Sequence, residues 1–176
     1  MTYKWGAEYE IIDNFLSEKH LKECEEYFKQ MSRRKTWNCS ENFVPLNYNE
    51  KFLTPLVRDL YETYSPILLG MLRRFAPEKE QHLVGHQLNF QNTTPGMYWN
   101  IHEDVSFKLL STAIYIAPEK NTGTILYSTK EGDDEYEIDW KVNRCFAFSR
   151  NKNTWHSYHN KHEEDRYALV WNLVSC

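Results

Sequence analysis

The stretch Val84-Gly85-His86-Gln87-Leu88-Asn89-Phe90-Gln91 alternates Leu88 and Phe90 with Gln87, Asn89 and Gln91. Residues two apart on a strand share a face, so this is a half-buried β-strand with one apolar and one polar side. Similar short runs follow at 97–103, 108–117, 124–129, 135–138, 143–148, 155–159 and 166–174. Turn signals separate them: Thr94-Pro95-Gly96, Ala117-Pro118, Asn121-Thr122-Gly123, Glu131-Gly132-Asp133 and Asn151-Lys152-Asn153. About eight closely spaced strands imply a sandwich or barrel.

Upstream the pattern is helical. Ser17 suits an N-cap, Glu18 the first turn, and Leu21, Cys24, Phe28 and Met31 one face, while Arg33, Arg34 and Lys35 suit the negative end of the dipole. Thr54-Pro55 and Ser65-Pro66 each pair a cap with proline at the first helical position, so two helices, or one broken at Pro66, are expected. Residues 37–49, rich in Asn and aromatics, read as an ordered loop or short strand. The expected fold is an all-β core with N-terminal helices (α+β): a double-stranded β-helix, or jelly roll, backed by two or three helices. It forms one domain over 1–176, with 1–80 mostly helical support and 81–176 the jelly-roll core.

Composition bounds the function. A chain of 176 residues is one domain's worth, with 41% hydrophobic and 26% charged residues in the globular range. A formal net charge of -4 argues against nucleic acid as a partner, because phosphate-binding surfaces favour a basic stripe. Cys24, Cys39, Cys145 and Cys176 are too scattered for a C-x-x-C motif, which fits reduced thiols in the cytoplasm. No apolar run reaches membrane-spanning length, and the first ten residues carry Lys4, Glu8 and Glu10 where an export signal would be apolar, so neither membrane nor export is expected.

The chemistry centres on His102-Glu103-Asp104. On a strand, His102 and Asp104 project together while Glu103 points away. His156, 52 positions beyond Asp104, opens a distant strand that a folded-over sheet can bring alongside. Two histidines and one carboxylate with open positions are the donor set of non-haem Fe(II) oxygenases. Arg166 follows His156 by ten positions across a polar turn and begins the next strand. Its guanidinium can match a carboxylate bidentately, so a 2-oxo acid can sit with its oxo end on the metal and its far carboxylate on Arg166.

These motifs resemble the 2-oxoglutarate and Fe(II)-dependent dioxygenases, within them the prolyl-hydroxylase-like branch. The resemblance covers most of the chain. It runs through Tyr9-Glu-Ile-Ile-Asp-Asn-Phe-Leu-Ser17, similar to that family's first strand and helix start, and Thr94-Pro-Gly-Met-Tyr-Trp-Asn-Ile-His-Glu-Asp104. It continues through Leu110-Ser-Thr-Ala-Ile-Tyr-Ile-Ala-Pro118, Asn143-Arg-Cys-Phe-Ala-Phe-Ser149, Thr154-Trp-His-Ser-Tyr158 and Arg166-Tyr-Ala-Leu-Val-Trp171. H-x-D alone is weak; joined to a later W-H and an Arg ten residues on, it is specific. The resemblance implies Fe(II) on His102, Asp104 and His156, with 2-oxoglutarate and O₂ as cosubstrates. Arg166 and the Tyr115 hydroxyl then bind the far carboxylate of 2-oxoglutarate. It further implies hydroxylation of an unactivated C–H, prolyl in a protein or peptide, with release of succinate and CO₂. Where relatives often carry Gly-Gly, this chain has Asn121-Thr122-Gly123-Thr124.

Competing readings remain open. Tyr115 can be a core tyrosine with a satisfied hydroxyl, and Arg166 can pair with Glu163 or Glu164. His82 with His86, and His159 with His162, have helical ligand spacing in segments that read as strand and turn. Tyr98 and Asn100 share the face of His102, and Asn172 that of Arg166, so all three are candidates for a substrate pocket, whereas Trp99, Trp155 and Trp171 read as core. The substrate alternatives are a free amino acid or other small molecule. Two other classes also fit the fold: a non-catalytic jelly-roll binding module and a zinc hydrolase on the same ligands.

Overall fold

The computed structural model describes residue 5 and residues 7–33, 39–48 and 53–176. Its elements, in order, are β1 (Tyr9–Ile12), α1 (Glu18–Arg33), β2 (Cys39–Pro45), α2 (Pro55–Phe75), a 3-10 turn (Pro77–His82), β3 (Gly85–Thr93), β4 (Tyr98–His102), β5 (Lys108–Ala117), β6 (Thr124–Tyr127), β7 (Tyr136–Ile138), β8 (Cys145–Phe148), β9 (Trp155–His159) and β10 (Arg166–Val174). The strands form two antiparallel sheets: six strands in the order β1-β8-β5-β10-β3-β2, and four in the order β4-β9-β6-β7. Strands far apart in sequence lie side by side, as in the expected jelly roll.

Local chemistry accounts for the helices. The Ser17 hydroxyl accepts from the His20 N–H at 3.2 Å, and Thr54 Oγ1 accepts from the Val57 N–H at 3.4 Å, so two of the three expected caps form, while Ser65 lies inside a helix. Pro66 does not divide the second helical stretch. It sits on the exposed side of α2, and one 21-residue helix results. Arg34 and Lys35, expected at the end of α1, lie outside the described residues, as do Trp37, Asn38 and Asn49 of the expected loop. Within that loop Cys39–Pro45 is a strand paired with β3. The first 80 residues are therefore more than helical support, since β1 and β2 supply both edges of the larger sheet.

Period-two alternation divides the interior in two. Leu88 and Phe90 of β3, Leu110, Ile114 and Ile116 of β5, and Leu169, Trp171 and Leu173 of β10 pack with α1 and α2 in the main apolar core. The opposite faces of the same strands look toward the smaller sheet. There Trp5, Leu126, Ile138, Phe146 and Phe148 form a second cluster, and a cavity occupies the remaining space. No helix among the described residues is long and apolar enough to cross a membrane.

His86 is part of the main core. It is fully buried, its Nδ1 accepts from the Trp171 indole N–H at 3.1 Å, and its ring lies edge-on to Tyr61. His82 is on the surface turn, so the two share no site. Burial pushes the His86 pKa down to about 4. A base depressed in this way costs nothing above pH 6.5, where both states are neutral, and destabilises the fold as pH falls from 6.5 toward 4, by about 3 kcal/mol when complete. Urea unfolding of the metal-free protein at pH 7 and pH 4.5 should show this loss. His86→Gln should retain only the part due to His156, which burial also holds down to about 4.

Candidate metal centre

β4 and β9 pair so that His102 lies directly opposite His156, with ring centroids 4.4 Å apart. Asp104 follows in the loop after β4. One ligand atom from each of His102, Asp104 and His156 falls within 4.8 Å of the others, and they are the only such group among the described residues. His102 Nδ1 is 2.7 Å from the Asn100 carbonyl and His156 Nδ1 is 2.8 Å from the Thr154 carbonyl. A carbonyl only accepts, so each Nδ1 carries a proton and each Nε2 is left as the nitrogen available to a metal. Burial keeps the His156 pKa near 4, opposed by the Asp104 charge, so its imidazole is neutral and ready to ligate at physiological pH.

Asp104 is buried and held from three sides. Its Oδ1 pairs with Lys108 Nζ, its Oδ2 accepts from Ser111 Oγ, and its carbonyl accepts from Arg150 Nε at 2.8 Å. Burial pushes its pKa up, but the Lys108 and His156 charges and these hydrogen bonds leave it below the usual carboxylate value, so it is ionised. Two imidazoles and one oriented carboxylate are a donor set that fits Fe(II).

The cavity between the sheets, about 410 Å³, has the three ligand residues on its wall together with Arg166. Arg166 is 2% exposed, and among the described side chains no carboxylate pairs with it. Glu163 and Glu164 are exposed, and the nearer Asp165 accepts from Asn92 Nδ2 at 3.0 Å. Arg166 Nε donates to the Thr122 carbonyl at 3.2 Å, while Cζ lies 4.5, 4.9 and 5.4 Å from the ring centroids of Tyr158, Trp140 and Tyr115. Burial lowers its pKa, with Tyr115 and Tyr158 opposing. This is a desolvated cation in an aromatic cage, open toward a cavity that contains a metal-ligand set.

Four sequence expectations about the cavity resolve unevenly. Asn172 lines it. Tyr115 is behind the wall: its hydroxyl donates to Thr124 Oγ1 at 2.8 Å and accepts the Thr124 N–H at 2.9 Å, and its ring stacks on Trp140. Thr124 lines the cavity, and Tyr115 contacts Thr124 through its hydroxyl and Arg166 through its ring. Tyr98 and Asn100 are exposed and away from the cavity. The reason is an irregularity between Trp99 and His102, where β4 carries one residue more than β9. Such a bulge shifts the alternation by one, so Trp99 shares the cavity face with His102. Sequence reasoning also missed Tyr158, although it is two residues after His156 on the same strand, and Trp140, whose loop position has no period to reveal it.

No family model matches the sequence, and no curated protein matches it either. Solved structures do. A prolyl-4-hydroxylase from Pseudomonas putida superposes with TM-score 0.69 at 11% identity, covering 97% of this chain and 94% of that one. The fold is that of the prolyl 4-hydroxylases. A prolyl hydroxylase from Trichoplax adhaerens, in complex with a peptide fragment of the hypoxia inducible factor oxygen degradation domain, gives 0.68 at 13% identity, over 97% of this chain and 84% of that one. The viral collagen prolyl hydroxylase of Paramecium Bursaria Chlorella virus-1, solved as a 2OG complex, gives 0.61 at 14% identity over 97% of both chains.

The turn that departs from the common Gly-Gly keeps one glycine where this fold needs it. A Cβ on Gly123 would fall 1.8 Å from the Ile138 carbonyl oxygen, and the Gly123 N–H donates to Glu137 Oε1 at 2.8 Å. The neighbouring Thr122 carbonyl is the one that receives Arg166. Gly123→Ala should therefore destabilise by at least about 2 kcal/mol through backbone displacement. Chemical denaturation measures the loss.

Proposed function

We propose that the chain is an Fe(II)- and 2-oxoglutarate-dependent dioxygenase that hydroxylates an unactivated C–H, prolyl in a protein or peptide, and releases succinate and CO₂. The observation that carries this reading is Arg166, a buried cation without a carboxylate partner among the described side chains, in the same cavity as His102, Asp104 and His156. Leaving a buried charge uncompensated is costly, so its retention calls for an anion. A dicarboxylate with a 2-oxo group at one end meets both demands of the cavity. The peptide target is supported by the prolyl hydroxylases that share the fold, one of them solved with a bound peptide.

Fe(II) on this site supplies activation of O₂, coupled to decarboxylation of 2-oxoglutarate. The chain's own residues supply the rest. Thr154 and Asn100 fix the tautomers of the two histidines through their carbonyls. Ser111 and Lys108 orient Asp104 and stabilise its charge. Arg166, held by the Thr122 carbonyl and three aromatic rings, fixes the far carboxylate of the cosubstrate. Phe146 and Phe148 make the inner wall apolar and exclude water from it. A zinc hydrolase on the same ligands leaves Arg166 without a task.

Anaerobic titration of Fe(II) into the protein with 2-oxoglutarate should produce a weak visible charge-transfer band. Arg166→Ala should weaken 2-oxoglutarate binding about 100-fold, the magnitude of a lost charge-assisted pair, and Asp104→Ala should remove the band. Absence of the band in the wild type sinks the reading and leaves the non-catalytic module. Without cosubstrate, Arg166→Met should be as stable as the wild type or more so, because it removes an uncompensated buried charge. Thermal unfolding with and without 2-oxoglutarate shows both effects.

A further inference from the structure

Lys108 is the only lysine or arginine among the described residues that pairs with the side chain of a candidate metal ligand. It opens β5 opposite Val174 of β10, and its N–H donates to the Val105 carbonyl at 3.1 Å, a turn that brings it back against Asp104. Its Nζ lies 2.5 Å from Asp104 Oδ1, and Ser111 Oγ donates to Oδ2 at 2.5 Å. The Lys108 and Asp104 side chains are 20% and 6% exposed, so solvent and salt screen the pair poorly. The other cation on this loop, Arg150, has a carboxylate of its own. Its Nη2 is 3.7 Å from Glu103 Oε2, and its Nε binds the Asp104 backbone carbonyl, not the side chain. For Lys108, Asp104 is the only carboxylate within 4 Å among the described residues.

A metal on His102, Asp104 and His156 therefore shares Asp104 with an ammonium. A carboxylate offers about four lone-pair sites, and Lys108 and Ser111 use two, so a metal need displace neither. The sharing has an electrostatic consequence. Asp104 is the one anion in the ligand set, and Lys108 offsets its charge, which lowers its strength as a donor. The ammonium also repels the metal in proportion to the metal's charge, so the repulsion is half as large again for Fe(III) as for Fe(II). Both effects act on the couple Fe(III) + e⁻ ⇌ Fe(II) in the same direction. We propose that Lys108 is a positioning residue that acts through Asp104 to raise the potential of the bound iron and hold it in the ferrous form. Ser111, a neutral donor on the same carboxylate, orients Asp104 without this bias. The choice of iron rests on the proposed dioxygenase reading, whereas the placement of an ammonium on a ligating carboxylate does not.

The test is a mediated redox titration of the iron-loaded protein without 2-oxoglutarate, with Fe(III) followed by electron paramagnetic resonance. A loss of ligand orientation weakens both oxidation states and largely cancels from their ratio, whereas a loss of charge does not. Lys108→Met should lower the potential by at least about 59 mV, a tenfold change in the ratio of Fe(III) to Fe(II) affinity. Lys108→Gln keeps a donor for Asp104 without the charge and should fall as far. Lys108→Arg keeps the charge and should hold the wild-type ratio within a factor of about two, and Ser111→Ala should move it less than Lys108→Met does. An unchanged or higher potential in the Met and Gln variants overturns the proposal, as does an equal fall in Lys108→Arg or Ser111→Ala. Failure of both the Met and Gln variants to bind iron also overturns it, because Lys108 then serves only to hold the site together. A normal Fe(II)–2-oxoglutarate band with no shift in potential rejects the role of Lys108 alone. A shift in potential with no such band in the wild type rejects the dioxygenase reading alone.

Discussion

β10 has nine residues and two faces, and most of the structure is tied to that alternation. Leu169, Trp171 and Leu173 anchor it in the apolar core under the helices. Arg166, Val170 and Asn172 face the cavity between the sheets. Because the period is two, sliding the strand by one residue against β5 or β3 would expose the core residues to the cavity and drive a guanidinium into the main core. Burial of Trp171 and Leu173 therefore also fixes where Arg166 and Asn172 stand. β3 and β5 obey the same rule, with Leu88 and Phe90 opposed to Gln87, Asn89 and Gln91, and Leu110 and Ile114 opposed to Ser111 and Ala113. The apolar core thus sets the register of the cavity wall without contributing an atom to its chemistry.

That arrangement carries an energetic burden on the cavity face. Arg166 is desolvated with aromatic rings and one carbonyl as company, and each unpartnered buried acceptor costs about 1–3 kcal/mol. The apolar layer on the other side of the sheet offsets it, with more than twenty buried residues in one contiguous cluster. A fold selected for stability alone would replace Arg166 with a hydrophobe of similar volume. Its retention is informative in a way that buried Phe90 or Leu110 is not, because those residues need no ligand to explain them.

Much of this was legible in the sequence. Eight downstream strands, two caps and the metal-ligand spacing follow from periods of two and 3.6 and from local hydrogen-bonding chemistry, which act over a few residues. His102 and Asp104 were found because they are two apart, and His156 because it opens a strand. Features set by contact between distant segments were not legible. Trp140 reaches Arg166 from a loop, Lys108 and Ser111 hold Asp104 across a turn, and β2 gains its strand character only from β3. Tyr115 shows a subtler limit. Its hydroxyl is engaged by the Thr124 hydroxyl and N–H, and no pattern within β5 contains Thr124.

The bulge in β4 shows how a single inserted residue sets the site's character. From Tyr98 to His102 strict alternation puts Tyr98 and Asn100 with the ligand histidine and turns Trp99 away. One extra residue before His102 reverses the first two positions while leaving His102 opposite His156. The candidate metal site draws on the His102–His156 pairing, which the insertion leaves intact. The mouth of the cavity, in contrast, gains an indole in place of a phenol and a carboxamide. Within the irregular stretch the Asn100 carbonyl accepts from the His102 ring at 2.7 Å. The same irregularity thus chooses the aromatic side chain on the cavity face beside His102.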